Sequence, residues 1–531
     1  MYRILKASKD SYVTNKIILA RSQNTSSTDA NVGQAGTIDI YKLYNETPVS
    51  SGSSGIELTR GLIQFNLEEL QSLTSSFLNI SDPSFKCYLS MKNVYGGQTV
   101  PSNYTLSVYP LAKDWNEGRG NDVIGYRDLD AVNWYTASLN PTLITWTSGG
   151  IGYGSDSSDT DADYYTLLSS STGYLPLEFK QSFTRGDEDL FVDVTTAISA
   201  AVSGELPNYG LRLSFTGSQE TDSITRFVKR LSTKQSRNTD LHPALVVKYD
   251  DTFIDNQAAS YFDYPNKIGV YFNQFGNAAN FISGSSIVSG SGSLILELKA
   301  SQSVYVTTSS FSISHNAVIT YTSASWNYFS QSFTGSQVQI GGLNQTGSYY
   351  ADVYLPLTAQ GLSGVLNSSN EATFTPTWKS LDNTVIFSHG QPIKFSPQNG
   401  SNVVIPQRNY AVNITNLKNS YINTDVVRLR VFAYNFDTTL NSFYIPYKPT
   451  PKIFTDAYWR LVDPYSKEII IPFDIDDKGT KLSVDGEGMY FDLYMQDLTI
   501  NKPLEIELMI KEFGGTYLIQ DQQFIFKVVK S

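Results

Sequence analysis

Cysteine, histidine and charge are all scarce in this sequence, and each scarcity removes a class of protein. Cys87 is the only cysteine among 531 residues, so no intrachain disulfide can form. It lies in the alternating run Phe85-Lys-Cys-Tyr-Leu-Ser-Met91, which predicts a buried structural thiol. The three histidines, His242, His315 and His389, stand far apart. No H-E-x-x-H pair, G-x-S-x-G elbow or histidine–carboxylate pair accompanies them, so the common hydrolase signatures are missing. Glycine-rich loops occur, but none in the strand–GxGxxG–helix setting that cradles phosphates. No run approaches the 18 apolar residues of a membrane span, and Met1-Tyr-Arg-Ile-Leu-Lys-Ala-Ser-Lys9 lacks the apolar core of a signal peptide.

Charged residues make up 17% of the chain, below the roughly 25% usual in globular proteins. Thirty-nine basic and 50 acidic residues give a net charge of −11, which argues against a phosphate-binding surface and hence against nucleic acid as a partner. Aromatic residues reach 13%, with 35 tyrosines, and Ser, Thr, Asn and Gly crowd the loops. Tyrosine fits strand positions and also offers contact area with a polar tip. The composition predicts an all-β protein with wide uncharged surfaces suited to protein or glycan contacts. The length predicts three or four units.

The stretch from Phe191-Val-Asp-Val-Thr-Thr-Ala-Ile-Ser199 to Pro207-Asn-Tyr-Gly-Leu-Arg-Leu-Ser-Phe215 reads as strand, short helix, turn and alternating strand. Asp193 or Thr195 can cap the helix and Gly204 can end it. In the last strand Leu211, Leu213 and Phe215 share one face, Arg212 and Ser214 the other. This order resembles the closing part of a DNRLRE domain, a jelly-roll β-sandwich similar in shape to carbohydrate-binding modules. Ala7-Ser-Lys-Asp-Ser-Tyr-Val13 resembles that family's opening strand. Arg60-Gly-Leu-Ile-Gln-Phe-Asn-Leu67 resembles its arginine-led strand. Asp114-Trp-Asn-Glu-Gly118, Trp134 and Trp146-Thr-Ser-Gly-Gly150 resemble its tryptophan-bearing loops, and Pro243-Ala-Leu-Val-Val-Lys-Tyr249 its last strand. The basic stretch Phe227-Val-Lys-Arg-Leu-Ser-Thr-Lys-Gln-Ser-Arg237 departs from the family's serine–arginine–glutamate stretch.

The predicted organisation is a jelly-roll domain over residues 1–251, a linker over 252–265, and immunoglobulin-like β-sandwiches over 266–397 and 398–531. Leu294, Leu296 and Leu298 alternate with Ile295, Glu297 and Lys299, and Trp326 or Trp378 are the candidate core tryptophans. Glu468-Ile-Ile-Ile-Pro-Phe473, Lys481-Leu-Ser-Val484 and Met489-Tyr-Phe-Asp-Leu-Tyr-Met495, separated by turn signals, read as a β-meander.

Two sites emerge, each with an ordinary structural alternative. Trp115, Trp134 and Trp146, with Glu117 and Arg127 near them, form a candidate glycan-binding set; the same tryptophans could plug the sandwich ends. Asp156, Asp159, Asp161 and Asp163 place hard oxygens on a short loop and form a candidate Ca²⁺ site, although no glutamate closes the loop as in an EF-hand. Solvated loop acids would read the same way. Calcium is the one cofactor the sequence leaves open. The acids Asp114, Glu117, Asp122, Asp128 and Asp130 allow a glycosidase pair no more than they allow ordinary loops.

The layout, a DNRLRE-like domain followed by an aromatic linker and further β units, resembles structural proteins of tailed bacteriophages. That resemblance implies a non-enzymatic virion component of the tail, baseplate, neck or fibre region. It would be assembled in the host cytoplasm and hold other virion proteins and copies of itself. The alternative is a glycan-binding adhesin module recognising host surface polysaccharide.

Overall fold

The computed structural model describes residues 1–18, 25–49, 52–53, 55–74, 78–94, 97, 99–124, 130–139, 141–170, 173–313, 317–340, 342–397, 410–435, 451–511 and 517–530. The protein is all-β, with several sheets and only short helices. Its contacts divide it into two compact units: residues 2–249 with 494–501, and Met1 with 250–493 and 502–531.

The first unit is built on ten strands: β1 (Tyr2–Thr14), β2 (Thr37–Tyr44), β3 (Ile56–Phe65), β4 (Lys86–Met91), β5 (Tyr104–Pro110), β6 (Phe179–Phe183), β7 (Leu190–Asp193), β8 (Leu211–Phe215), β9 (Arg226–Ser232) and β10 (Ala244–Lys248). They follow the order β6-β5-β8-β3-β1-β10-β4-β7, and β2 joins β3 to β9. β1 belongs to both halves. Its residues Tyr2–Lys6 pair with β10, its residues Ala7–Thr14 with β3, and the register shifts between Ala7 and Lys9 where it changes partner. Such irregularities let a strand turn a corner.

The local signals read from the sequence hold in this unit. The helix Thr195–Ser203 starts where an Asp193 carboxylate oxygen accepts the Thr195 N–H at 2.9 Å. It stops at Gly204, whose φ of 84° is left-handed, a conformation glycine adopts without a Cβ clash. Cys87 is buried in β4, and its thiol pKa is raised by that burial. The two faces of β8 are as the alternation implies, Arg212 donating to Ser214 Oγ at 2.6 Å on their shared face, but all five of its residues are buried. Loops cover the face that carries Arg212 and Ser214.

In the second unit the strands 260–261, 393–396, 372–379, 294–313, 317–340, 343–354 and 265–271 form one sheet in that order, with 386–389 beside 372–379. Its core gathers Phe262, Leu294, Leu296, Leu298, Phe374, Phe395 and Trp378. Trp378 is therefore a core residue, whereas Trp326 is 54% exposed and is not. Within residues 252–265, the backbone of Phe253 and Asp255 hydrogen-bonds to Val484.

Two larger sheets also belong to this unit, besides two short hairpins. One has the order 410–414, 426–435, 488–494, 483–485; the other 420–422, 517–529, 503–511, 457–462, 469–471. Trp459 of the second stacks on Phe491 of the first at 4.8 Å between ring centroids, so the two pack face to face. The expected meander is split: 483–485 and 488–494 form its hairpin, but 469–471 joins 457–462 in the other sheet.

Candidate functional site

The described parts of the loops between β5 and β6 lie over β1 and β3 and carry the described members of the candidate glycan and calcium sets. Trp115, Trp134 and Trp146 share one apolar cluster with Val13, Leu62, Leu111, Val132 and Ile151. Trp115 is fully buried and donates its indole N–H to the Tyr209 carbonyl at 2.9 Å; Trp146 is 5% exposed and donates to the Asn133 carbonyl at 3.1 Å. Gly149 and Gly150 lie against Trp134, and a Cβ at Gly150 would meet the indole at 2.5 Å. Buried on all sides, none of the three can offer a ring face to a sugar, so the glycan-stacking role expected of them is corrected to a packing one.

Glu117 points inward as well. Its Oε1 accepts the Asp10 N–H at 2.9 Å and its Oε2 pairs with Lys234 Nζ at 2.8 Å. Arg127 and Asp128 lie outside the described residues. Asp114 accepts the Trp115 N–H at 2.9 Å, and Asp122 that of Ile124 at 2.8 Å.

The four aspartates of the calcium reading do not converge on one point. Asp163 is fully buried, and its carboxylate accepts the N–H groups of Thr147, Ser148 and Tyr153 at 2.7, 3.0 and 3.0 Å, with Lys113 Nζ at 3.0 Å. Asp156 holds the Ser158 N–H at 2.9 Å, and Asp159 holds that of Asp161 at 2.9 Å together with the Tyr153 hydroxyl at 2.9 Å. Among the described residues no group of three or more His, Cys, Asp or Glu is placed to hold a metal. The lysine in contact with Asp163 supplies the positive charge a cation would otherwise bring.

Two charged constellations lie beneath and beside these loops. Glu220 is gripped by Arg60 through a two-pronged pair, Nε–Oε1 at 2.9 Å and Nη2–Oε2 at 2.7 Å, while Arg212 Nη2 stands 3.7 Å away. The two arginines also donate to the carbonyls of Gly150 and Ile151, at 2.5 and 3.1 Å, tying the loop to the sheet. Arg212 lies over the Tyr164 ring at 4.4 Å. Burial pulls the Arg212 guanidinium down to about 10, and the charge of Arg60 adds to the fall. Burial pushes Glu220 up, but the hydrogen bonds and charge of Arg60, with Arg212, outweigh it and leave the carboxyl below its ordinary value.

The second constellation joins the opening strand, the middle loop and the basic stretch. Asp10 is 1% exposed, and its Oδ2 accepts the Lys234 N–H at 2.6 Å. Lys234 Nζ then bridges the Ser8 carbonyl at 2.7 Å and Glu117. Burial pushes the Asp10 carboxyl up to about 7; the Lys234 N–H opposes this and the Glu117 charge adds to it. A carboxyl at that value exchanges a proton near neutrality.

Sequence reasoning missed Asp10, Lys234 and Glu220 as members of these groups. A signal existed for the arginines: Arg60 and Arg212 each interrupt an apolar strand, where an unpaired charge would be costly. Of the histidines, His242 Nε2 lies 2.8 Å from the Ser236 carbonyl, His389 Nδ1 3.4 Å from the Thr377 hydroxyl, and His315 lies outside the described residues. No helix among the described residues is long and apolar enough to cross a membrane.

No protein-family model and no curated protein matches the chain. Among solved structures it is similar to a Ca²⁺-stabilized adhesin that helps an Antarctic bacterium reach out and bind ice, at 8% identity and a TM-score of 0.14, over 99% of this chain and 100% of that one. It is also similar to the native conformation of E. coli alpha-2-macroglobulin, at 10% identity and a TM-score of 0.13, over 98% of this chain and 35% of that one.

Proposed function

We propose that this chain is a non-enzymatic structural component of a tailed-phage virion, working through assembly contacts with its own copies and with neighbouring virion proteins. One observation carries the reading: several ionisable groups are buried in internal pairs, while a set of large aromatic side chains stands in solvent. Asp163, Glu220, Asp10 and Arg212 are buried and committed to internal partners. Tyr135, Tyr174, Phe275, Trp326 and Tyr328 stand at 54% exposure or more. Exposed aromatics on a poorly charged surface are the ingredients of protein–protein contact. Mass spectrometry of purified particles from cells carrying the gene tests the proposal. The chain should appear among the particle proteins at a fixed stoichiometry, and its absence from intact particles would end the virion reading.

A further inference from the structure

Two short hairpins follow the strand 265–271 and end in solvent. In the first, Asn273 and Gln274 pair with Ala278 and Asn277; in the second, Ile282 and Ser283 pair with Ile287 and Ser286. Phe275, at the turn of the first, is 96% exposed. Ile282 and Ile287, opposite each other across one rung of the second, are 58% and 64% exposed. Both hairpins grow from one anchored base. Phe281 is buried, stacks on Tyr349 and Phe387 with ring centroids 4.9 and 4.8 Å away, and packs against Phe272 at 5.1 Å. The Tyr349 hydroxyl accepts the Phe281 N–H at 3.0 Å and donates to the Val288 carbonyl at 2.8 Å, closing the neck of the second hairpin. The neck of the first is closed by the Ala279 N–H on the Phe272 carbonyl at 3.1 Å.

The first turn is strained. Phe275 has a φ of 52° and Gly276 one of 85°, so both central residues are left-handed. Such a type I′ turn ordinarily takes Asn-Gly, and a bulky side chain at its first position is an outlier. Almost fully exposed, the phenyl ring has no packing inside the chain to offset the strain or its own hydration. Strain held at an exposed point indicates a task outside the fold.

The shape and chemistry of the tips indicate what receives them. Residues 273–278 and 284–287 are all exposed, so the tips project and offer no cleft to a small ligand. A protein partner would need two separate pockets, one for each tip, whereas a lipid surface takes both at any spacing and rotation. Each hairpin pairs backbone groups within itself, which lets it leave water without stranding them, as hydrocarbon requires. Around the apolar side chains stand asparagine, glutamine and serine, uncharged groups that suit a headgroup layer. Tyr271, at the foot of the first hairpin and exposed, has the apolar ring and polar tip that favour a membrane–water boundary. Between Lys267 and Glu297 there is no Asp, Glu, Lys or Arg to be drawn into lipid. A net charge of −11 gives no attraction to anionic headgroups, so the fitting surface is zwitterionic.

We infer that the tips carrying Phe275, Ile282 and Ile287 insert into the outer layer of a zwitterionic lipid bilayer and hold this chain on a membrane surface without spanning it. The inference goes beyond the assembly role and does not depend on it.

Flotation of the full chain with phosphatidylcholine vesicles tests it. The wild type should float with the vesicles equally at low and high salt. Phe275→Asn should bind about tenfold more weakly, the effect of losing one buried ring, yet melt at a higher temperature because Asn-Gly suits the turn. Ile282→Ser with Ile287→Ser should weaken binding as well. Tyr465→Ser, which removes an exposed aromatic from another loop, should leave it unchanged. A wild type that stays behind at saturating lipid overturns the inference, as it would if the tips seat in protein pockets. Binding that survives Phe275→Asn, that Tyr465→Ser weakens equally, or that appears only with phosphatidylglycerol overturns it too. None of these results alters the outcome of the particle experiment, which judges the virion role separately.

Discussion

Asp10→Asn turns the buried carboxyl of the first unit into a measurable pH response. In the folded chain the Asp10 carboxyl is pushed up to about 7 by burial, from an ordinary value of 3.8. Below pH 4 it is protonated in both states. Between pH 4 and 7 the folded state holds a proton that the unfolded state has released, so stability falls as pH rises. Above 7 the loss is complete. A displacement of about three pK units corresponds to about 4 kcal/mol, an upper figure because the unfolded chain is not fully extended water-exposed coil. Asparagine cannot ionise, yet its amide oxygen can still accept the Lys234 N–H. The variant should therefore lack this pH-dependent loss and gain on the wild type between pH 4 and 8. Hydrogen–deuterium exchange of peptides covering β1 reads the local opening free energy, and comparing the two proteins at each pH cancels intrinsic exchange rates. Parallel curves across that range would show that Asp10 titrates normally and that its burial does not govern its proton.

Glu220→Ala should lower stability by about 3–5 kcal/mol, since Arg60 and Arg212 would be left as two buried, mutually repelling cations; thermal unfolding measures it. Trp134→Ala empties the space filled against Gly149 and Gly150 and should cost about 3–5 kcal/mol, while binding to any glycan on an array stays as it was. Cys87 should resist a thiol reagent in the native protein and react at once in denaturant, because burial both hides the thiol and raises its pKa.

Much of the strand content could be read from periodicity, since Leu294, Leu296 and Leu298 are all buried as their alternation implies. The helix 195–203 was legible to its caps because capping is local chemistry. Pairing was less legible. The segment 469–471 has the same apolar signal whichever sheet it joins, and its partner 457–462 is chosen by tertiary packing. In β8 alternation reports the two faces but not that a loop covers the polar one. The structure puts the three tryptophans in one buried cluster. Their burial was decided by neighbours such as Val13 and Leu62, which lie about fifty residues or more away in sequence. Glu220 likewise meets Arg60 across 160 positions, a separation no local pattern spans.

The buried charges and the bare surface have one cause. A chain poor in charge commits several of its ionisable groups to the interior: Arg3 with Asp497, Lys42 with Asp222, Arg60 with Glu220, Lys113 with Asp163. Buried ion pairs add little net stability over apolar replacements, yet breaking one is costly, so they fix geometry more than they deepen the fold. Each pair also withdraws charge from the surface, where mixed charge keeps proteins apart. The remaining exterior has tyrosine and phenylalanine in solvent, among them Tyr135, Tyr174, Phe275 and Tyr328. Such an exterior is a liability in a protein that must stay dispersed and an asset in one that must stick to its neighbours. If lysines placed at the exposed aromatic positions Tyr135, Tyr174 and Tyr328 raise solubility and abolish association together, the bare surface is the binding device. If solubility rises while association persists, contact is made elsewhere on the chain.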